Sequence, residues 1–190
     1  AEAWLRDAGY TRGPSGFYQR VDEQLAFEVA ITESPDSVRE ILVMADGLRS
    51  QGFDVQQRVI PRIEAQNAQV RATFPALQAV GIGLGEQALN ALHSSQIPAQ
   101  ANRWLGGNRG GWASAEYDRL LSEFNTTLDR QDRLPLVRQM LRVYADEIPS
   151  VGLFFSSTSF AYVNGLTGPA PAAPESDVSW NIQDWDWTPG

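Results

Sequence analysis

The chain has no cysteine and a single histidine among its 190 residues. Without thiols, a disulfide framework, a thiolate metal site and a cysteine nucleophile are all excluded. With His93 as the only imidazole, a zinc site would need carboxylates alone and a Ser-His-Asp triad has one possible base. His93 is therefore expected to be an ordinary loop or surface residue, and no catalytic residue, metal or cofactor is expected. Long apolar runs are missing as well, and no stretch is long enough to span a bilayer. Basic charge is scarce: 15 Lys and Arg face 23 Asp and Glu, for a formal net charge of -8. The basic residues are scattered and form no stripe that could neutralise a phosphate backbone, so nucleic acid is not an expected partner.

A phosphate-cradling loop is also lacking. Gly81-Ile82-Gly83-Leu84-Gly85 follows a strand-like run, but Glu86 stands where a G-x-G-x-x-G loop needs its last glycine. A carboxylate there would repel a pyrophosphate, and no Gly-Lys-Ser/Thr sequence supplies a P-loop. The first residues carry Glu2, Arg6 and Asp7 in place of a basic and then apolar leader. The chain starts without Met inside a helical pattern, so it is expected to be cut from a longer protein.

What is present is a folding composition, 43% hydrophobic and 20% charged, at the size of one domain. Ala1–Ala8 before Gly9 read as a short helix, and Thr11–Gly16 as a turn-rich exit from it. Leu25–Thr32 alternate apolar and polar residues, the pattern of a strand. Ser34 and Pro35 open a helix whose apolar positions Val38, Ile41, Leu42, Ala45 and Leu48 recur every three or four residues and stop near Gly52. Phe53–Ile60 form a second strand. Strand, helix and strand within about forty residues favour a parallel crossover, and the fold class is α/β.

Arg62–Ala72 read as one helix and Ala76–Ile82 as a short buried strand. Ile97–Trp112 should be irregular. Ser114 then caps a helix with Tyr117, Leu120, Leu121 and Phe124 inside, and Asp129 opens another with Leu134, Val137, Leu141, Tyr144 and Ile148 in its stripe. Val151–Phe155 and Phe160–Tyr162 are expected to be closing strands, Gly168–Pro174 a Pro/Ala linker. An extended tail would put Asp184 and Asp186 on one face and Trp185 and Trp187 on the other, the aromatic face needing a partner surface.

Several of these segments resemble family 5 extracellular solute-binding proteins, the oligopeptide, dipeptide and nickel components of ABC transporters. Asn108–Leu121 resembles that family's "N-x-G-G-Y/W-x-N/S-x-E-F/Y-D-x-L" stretch. Thr126–Arg133 is similar to its "T-x-D-x-x-x-R", and Asp146–Pro149 to its "D-x-P". Ala3–Tyr10 is similar to "A-x-x-L-L-x-E-A-G-Y", and Leu48–Val55 to "L-x-x-x-G-I-x-V". The order agrees across nearly the whole chain.

The resemblance implies a periplasmic-binding-protein type II-like lobe, a mixed sheet flanked by helices. Residues 1–168 would be the C-terminal ligand-binding lobe. Residues 169–190 would be a linker and Trp-rich tail returning to an N-terminal lobe of the same parent chain. The protein would bind a small solute or peptide outside the cytoplasm and deliver it to an ABC permease, with no enzymatic chemistry. A ligand-sensing domain of a transcriptional regulator with the same fold is the alternative. Peptide-binding relatives carry "G-W-x-x-D-Y-x-D/E-P" after the third strand, its Asp pairing with the ligand amine. Here Ile82 stands at the Trp and Gly85 at the Asp, which implies a neutral, apolar or sugar-like ligand. Gly83, Leu84, Gly85, Glu86, Asn108, Arg109 and Trp112 are the expected ligand-binding residues: exposed backbone amides beside an aromatic wall.

Overall fold

The computed structural model describes residues 2–21, 23–83, 85–155, 160–171 and 177–188. The chain forms two compact units, one of Ala1–Gly81 with Ile97–Gly110 and one of Ile82–Gln96 with Gly111–Gly190.

The first unit opens with helix α1 (Glu2–Asp7). Gly9, at φ 85°, turns the chain out of it, with its N–H bonded to the Arg6 carbonyl and that of Tyr10 to Leu5. Where a turn-rich exit was expected, the strands β1 (Thr11–Arg12), β2 (Tyr18–Arg20) and β3 (Glu23–Gln24) make an antiparallel meander. Strands this short are invisible to a period-two pattern.

The expected crossover follows. Strand β4 (Ala26–Thr32), helix α2 (Ser37–Ser50) and strand β5 (Asp54–Ile60) succeed one another. The strands pair in parallel, from Ala26 opposite Asp54 to Thr32 opposite Ile60. Ile41 and Ala45 of α2 pack on Val29, Ile31 and Val55 of the sheet. Ser34 and Ser37 close the helix start reciprocally, each backbone N–H donating to the other's hydroxyl. At its end, Gly52 donates to Arg49 and Phe53 to Leu48, a Schellman closure that needs the φ of 94° only glycine adopts easily.

Strand β6 (Leu77–Ala79) pairs in parallel on the other side of β4, so the sheet order is β5-β4-β6 with the first strand central. Between β5 and β6 the single helix expected over Arg62–Ala72 is two pieces. A 3-10 turn (Glu64–Gln66) is followed by α3 (Ala68–Ala72). Asn67 separates them, because its side chain accepts from the Gln69 N–H and restarts the helix as its cap. Ala65, Val70 and Phe74 then pack with Ala30 and Ile60.

The second unit is helical at its core. Helix α4 (Glu86–Ala91) follows the glycine-rich run, in a stretch to which the sequence reading assigned no element. Helix α5 (Ala115–Thr126) has Ser114 as its cap, and Tyr117, Leu120, Leu121 and Phe124 are buried as read from the sequence. Helix α6 (Arg130–Glu147) is capped by Asp129, which accepts from Gln131 and Asp132. Its buried residues are Leu136 and Met140, with Val137 and Val143 half-buried. Leu134, Leu141 and Ile148 of the expected stripe are exposed. The apolar residues of α6 make one broad face: α5 covers the side with Leu136 and Met140, Val137 of the expected stripe packs on the same cluster, and Leu134 and Leu141 are left at the exposed edge.

The two closing strands are not there: Val151–Phe155 and Phe160–Tyr162 are irregular and exposed, and pair with no strand among the described residues. Strand β7 (Leu166–Thr167) instead pairs antiparallel with β8 (Asp186–Trp187). Asp184 closes a 3-10 turn (Ile182–Asp184), so it shares no strand face with Asp186. Trp185 turns inward far enough to donate to the Asn181 side chain at 2.9 Å. Of the expected linker, residues 172–174 lie outside the described residues.

Candidate functional site

The seven expected ligand-binding residues divide between the units. Asn108 and Arg109 lie in the first, Gly83, Gly85, Glu86 and Trp112 in the second; Leu84 is outside the described residues.

In the first unit Asn108 is buried, and Arg109 beside it is half-buried. Burial holds the Arg109 guanidinium below its ordinary range, and the like charge of Arg71 pushes it the same way. Two guanidiniums in one neighbourhood disfavour a cationic ligand group there.

In the second unit Gly83 is exposed coil, and Gly85 is the N-cap of α4, extended at φ -92° and ψ -174°. Glu86 stands in the first turn of that helix, where a carboxylate suits the unpaired N–H groups. Its Oε2 accepts from Arg133 Nη2 at 2.7 Å. Arg133 also lies 3.9 Å above the Phe124 ring, so a single guanidinium ties α4 to α5 and α6. Sequence reasoning treated Glu86 as a loop carboxylate open to a ligand. The signal it missed was the helical run Glu86–Ala91 that directs the side chain at Arg133.

Trp112 and helix α4 meet at one core: Leu89, Leu92 and Trp112 all pack on the Tyr117, Leu121 and Phe124 cluster. The Trp112 ring stands edge-on to Tyr117, with centroids 4.9 Å apart. Its Nε1 donates to Glu147 Oε2 at 2.7 Å, and the Ser114 hydroxyl donates to the other oxygen at 3.3 Å. The indole thereby clamps the end of α6 to the start of α5. Tyr117 donates its hydroxyl to the Leu89 carbonyl at 3.0 Å. Burial first, then the negative charge of Asp118 and the neighbouring Tyr144, push its phenol up to about 12.

One group of side chains has the composition of a catalytic triad. His93, Ser94 and Asp118 adjoin, but the Ser94 hydroxyl donates directly to Asp118, and Asp118 also accepts the Ser94 N–H at 3.0 Å. His93 Nδ1 accepts from the Ser95 N–H at 3.0 Å. In a nucleophile relay the hydroxyl donates to the imidazole instead. Asp118 thus caps the 3-10 turn Ser94–Gln96. No group of acidic or histidine side chains fit for a metal ion occurs among the described residues, and no helix among them is long and apolar enough to cross a membrane.

No protein-family model and no curated protein matches the sequence. Solved structures do match, nearly end to end. The NikZ protein of Campylobacter jejuni in complex with Ni(L-His) covers 97% of the chain at 17% identity and a TM-score of 0.70. The oligopeptide-binding protein AppA of Bacillus subtilis, in complex with a nonapeptide, covers 99% at 20% identity and 0.72. The oligopeptide binding protein of Thermus thermophilus, complexed with a pentapeptide, covers 98% at 23% identity and 0.74. The chain has the fold of part of a family 5 solute-binding protein. It spans 38%, 37% and 34% of those three chains, little more than a third of each.

Proposed function

We propose that the chain is the C-terminal lobe of the solute-binding component of an ABC importer, working outside the cytoplasm and performing no chemistry. The observation that carries this reading is the end-to-end likeness to proteins solved with a nonapeptide, a pentapeptide and a nickel–histidine complex. In the parent chain, residues 1–168 form one wall of the ligand cleft and residues 169–190 return to an N-terminal lobe. Solute contacts that bridge both lobes favour the closed state over the open one, and a permease in the membrane takes the solute from there.

The ligand-facing residues in this reading are Gly83, Leu84, Gly85, Glu86, Asn108, Arg109 and Trp112. A free α-amine finds little to hold it: Gly85 stands where peptide-binding relatives have an Asp, Glu86 already pairs with Arg133, and Arg109 lies near Arg71. An uncompensated buried charge costs several kcal/mol, so the ligand end that reaches this lobe is neutral, apolar or sugar-like.

The test is calorimetric titration of the full parent chain with oligopeptides, nickel–histidine and uncharged sugars. Binding of an uncharged or amine-blocked solute, weakened by no more than about a few fold in Glu86→Gln because that carboxylate is already paired with Arg133, is the expected result. Tight binding of free peptides that Glu86→Gln abolishes would overturn the ligand assignment. A winged-helix segment in the parent sequence, in place of a secretory or lipoprotein signal, would overturn the transport reading in favour of a transcriptional regulator.

A further inference from the structure

An asparagine amide can react with the backbone nitrogen that follows it, and the closure is opposed chiefly by the Cβ of the next residue. Glycine has none. Of the seven asparagines, Asn164 alone is followed by glycine; the others precede Ala, Arg, Thr or Ile.

The fold leaves that pair open and holds the other amides. Asn164 is exposed in a turn, which the Leu166 N–H closes on the Val163 carbonyl at 3.2 Å. Gly165 sits there at a φ of 98°. Among the described residues neither the Asn164 side chain nor the Gly165 N–H has a hydrogen-bond partner. One backbone bond closes the turn, and surface turns of that kind open at low cost. Elsewhere Asn67 accepts from Gln69, Asn102 accepts from Ala99 and Asn125 donates to Asn90. Asn108 and Asn181 are buried.

We infer that Asn164–Gly165 is a site of spontaneous deamidation. The Gly165 nitrogen gives its proton to solvent base and attacks the Asn164 Cγ. A C–N bond closes a five-membered succinimide, and the side-chain nitrogen takes up a proton and leaves as ammonia. Water then opens the ring: at the side-chain carbonyl it leaves aspartate, at the backbone carbonyl an isoaspartyl linkage. Either product carries one more negative charge at the entry to β7. The isoaspartyl form also lengthens the backbone by one carbon beside a tight contact. There the Thr188 N–H donates to the Gly165 carbonyl at 2.8 Å, and a Cβ on Gly165 would stand 2.7 Å from the Thr188 carbonyl oxygen. The pairing of β7 with β8 is therefore the part of the fold that the modification disturbs.

The experiment incubates the full parent chain, native and in guanidinium, and follows the peptide containing Asn164 by mass spectrometry. The expected result is the mass gain of exchanging NH2 for OH, divided between two chromatographic forms, at a native rate within about tenfold of the unfolded chain. The rate should rise by up to about tenfold per pH unit, because the attacking nitrogen must first lose its proton. Amide exchange at Thr188 should be at least about tenfold faster in the isoaspartyl form than in the unmodified chain. A native chain that keeps Asn164 intact would overturn the inference, whatever happens in guanidinium. Conversion at Asn67 or Asn102 as fast as at Asn164 would overturn it too, as would the same mass gain in Asn164→Gln, which must close a six-membered ring. Unchanged exchange at Thr188 would overturn the disturbance of the β7–β8 pairing. None of these outcomes depends on which solute the parent chain binds.

Discussion

Helices α5 and α6 lie consecutively in one unit, each begins at a side-chain cap, and each carries apolar residues at helical spacing. In α5 there is one apolar stripe, and Tyr117, Leu120, Leu121 and Phe124 are all at most 3% exposed. In α6 the apolar face is broader, and α5 covers only the side with Leu136, Met140 and Val137, which leaves Leu134 and Leu141 exposed. A helix with one apolar face declares which side is inside. A broad face leaves open how much of it is covered.

The sharpest way to break this contrast is to remove one leucine from each helix. Leu121→Ala should cost about 3 kcal/mol in urea unfolding of the parent chain, the transfer and cavity cost of a fully buried leucine. Leu141→Ala, at the exposed edge of α6, should cost within about 0.5 kcal/mol.

Alkaline pH probes the same core. The Tyr117 phenol is raised to about 12 from an ordinary value of about 10, so the folded state holds the proton more tightly than the unfolded chain. Its contribution to stability is complete below about pH 10 and is lost as pH rises through about 12, a change on the order of 2 kcal/mol. Fluorescence-monitored unfolding at pH 9 and above should show that loss, and Tyr117→Phe should flatten it.

Trp112→Phe keeps the ring against Tyr117 but removes the donor to Glu147, and should cost about 1 kcal/mol, with Ser114 still bonded to the carboxylate. Glu86→Gln is expected to be the mildest change. The carboxylate is largely solvated, with its side chain 67% exposed, so loss of the Arg133 pair should cost no more than about 0.5 kcal/mol by thermal denaturation.

The parallel unit β4–α2–β5, the Gly9 and Gly52 closures and the caps Ser114 and Asp129 are determined by the sequence alone, because each is a local preference: alternation, periodicity, a left-handed glycine, a side-chain acceptor at a helix start. The break at Asn67 is equally local. Its capping signal lay in the sequence but was outweighed by the helical composition around it. Three features belong to the tertiary structure. The partner of Glu86 depends on an arginine 47 residues away, the role of Trp112 on a glutamate 35 residues away, and the covered part of the broad apolar face of α6 on the helix that packs against it. Periodicity tells a helix that it has an inside; only the neighbouring surface says how much of a broad apolar face is covered, and for α6 that neighbour is α5.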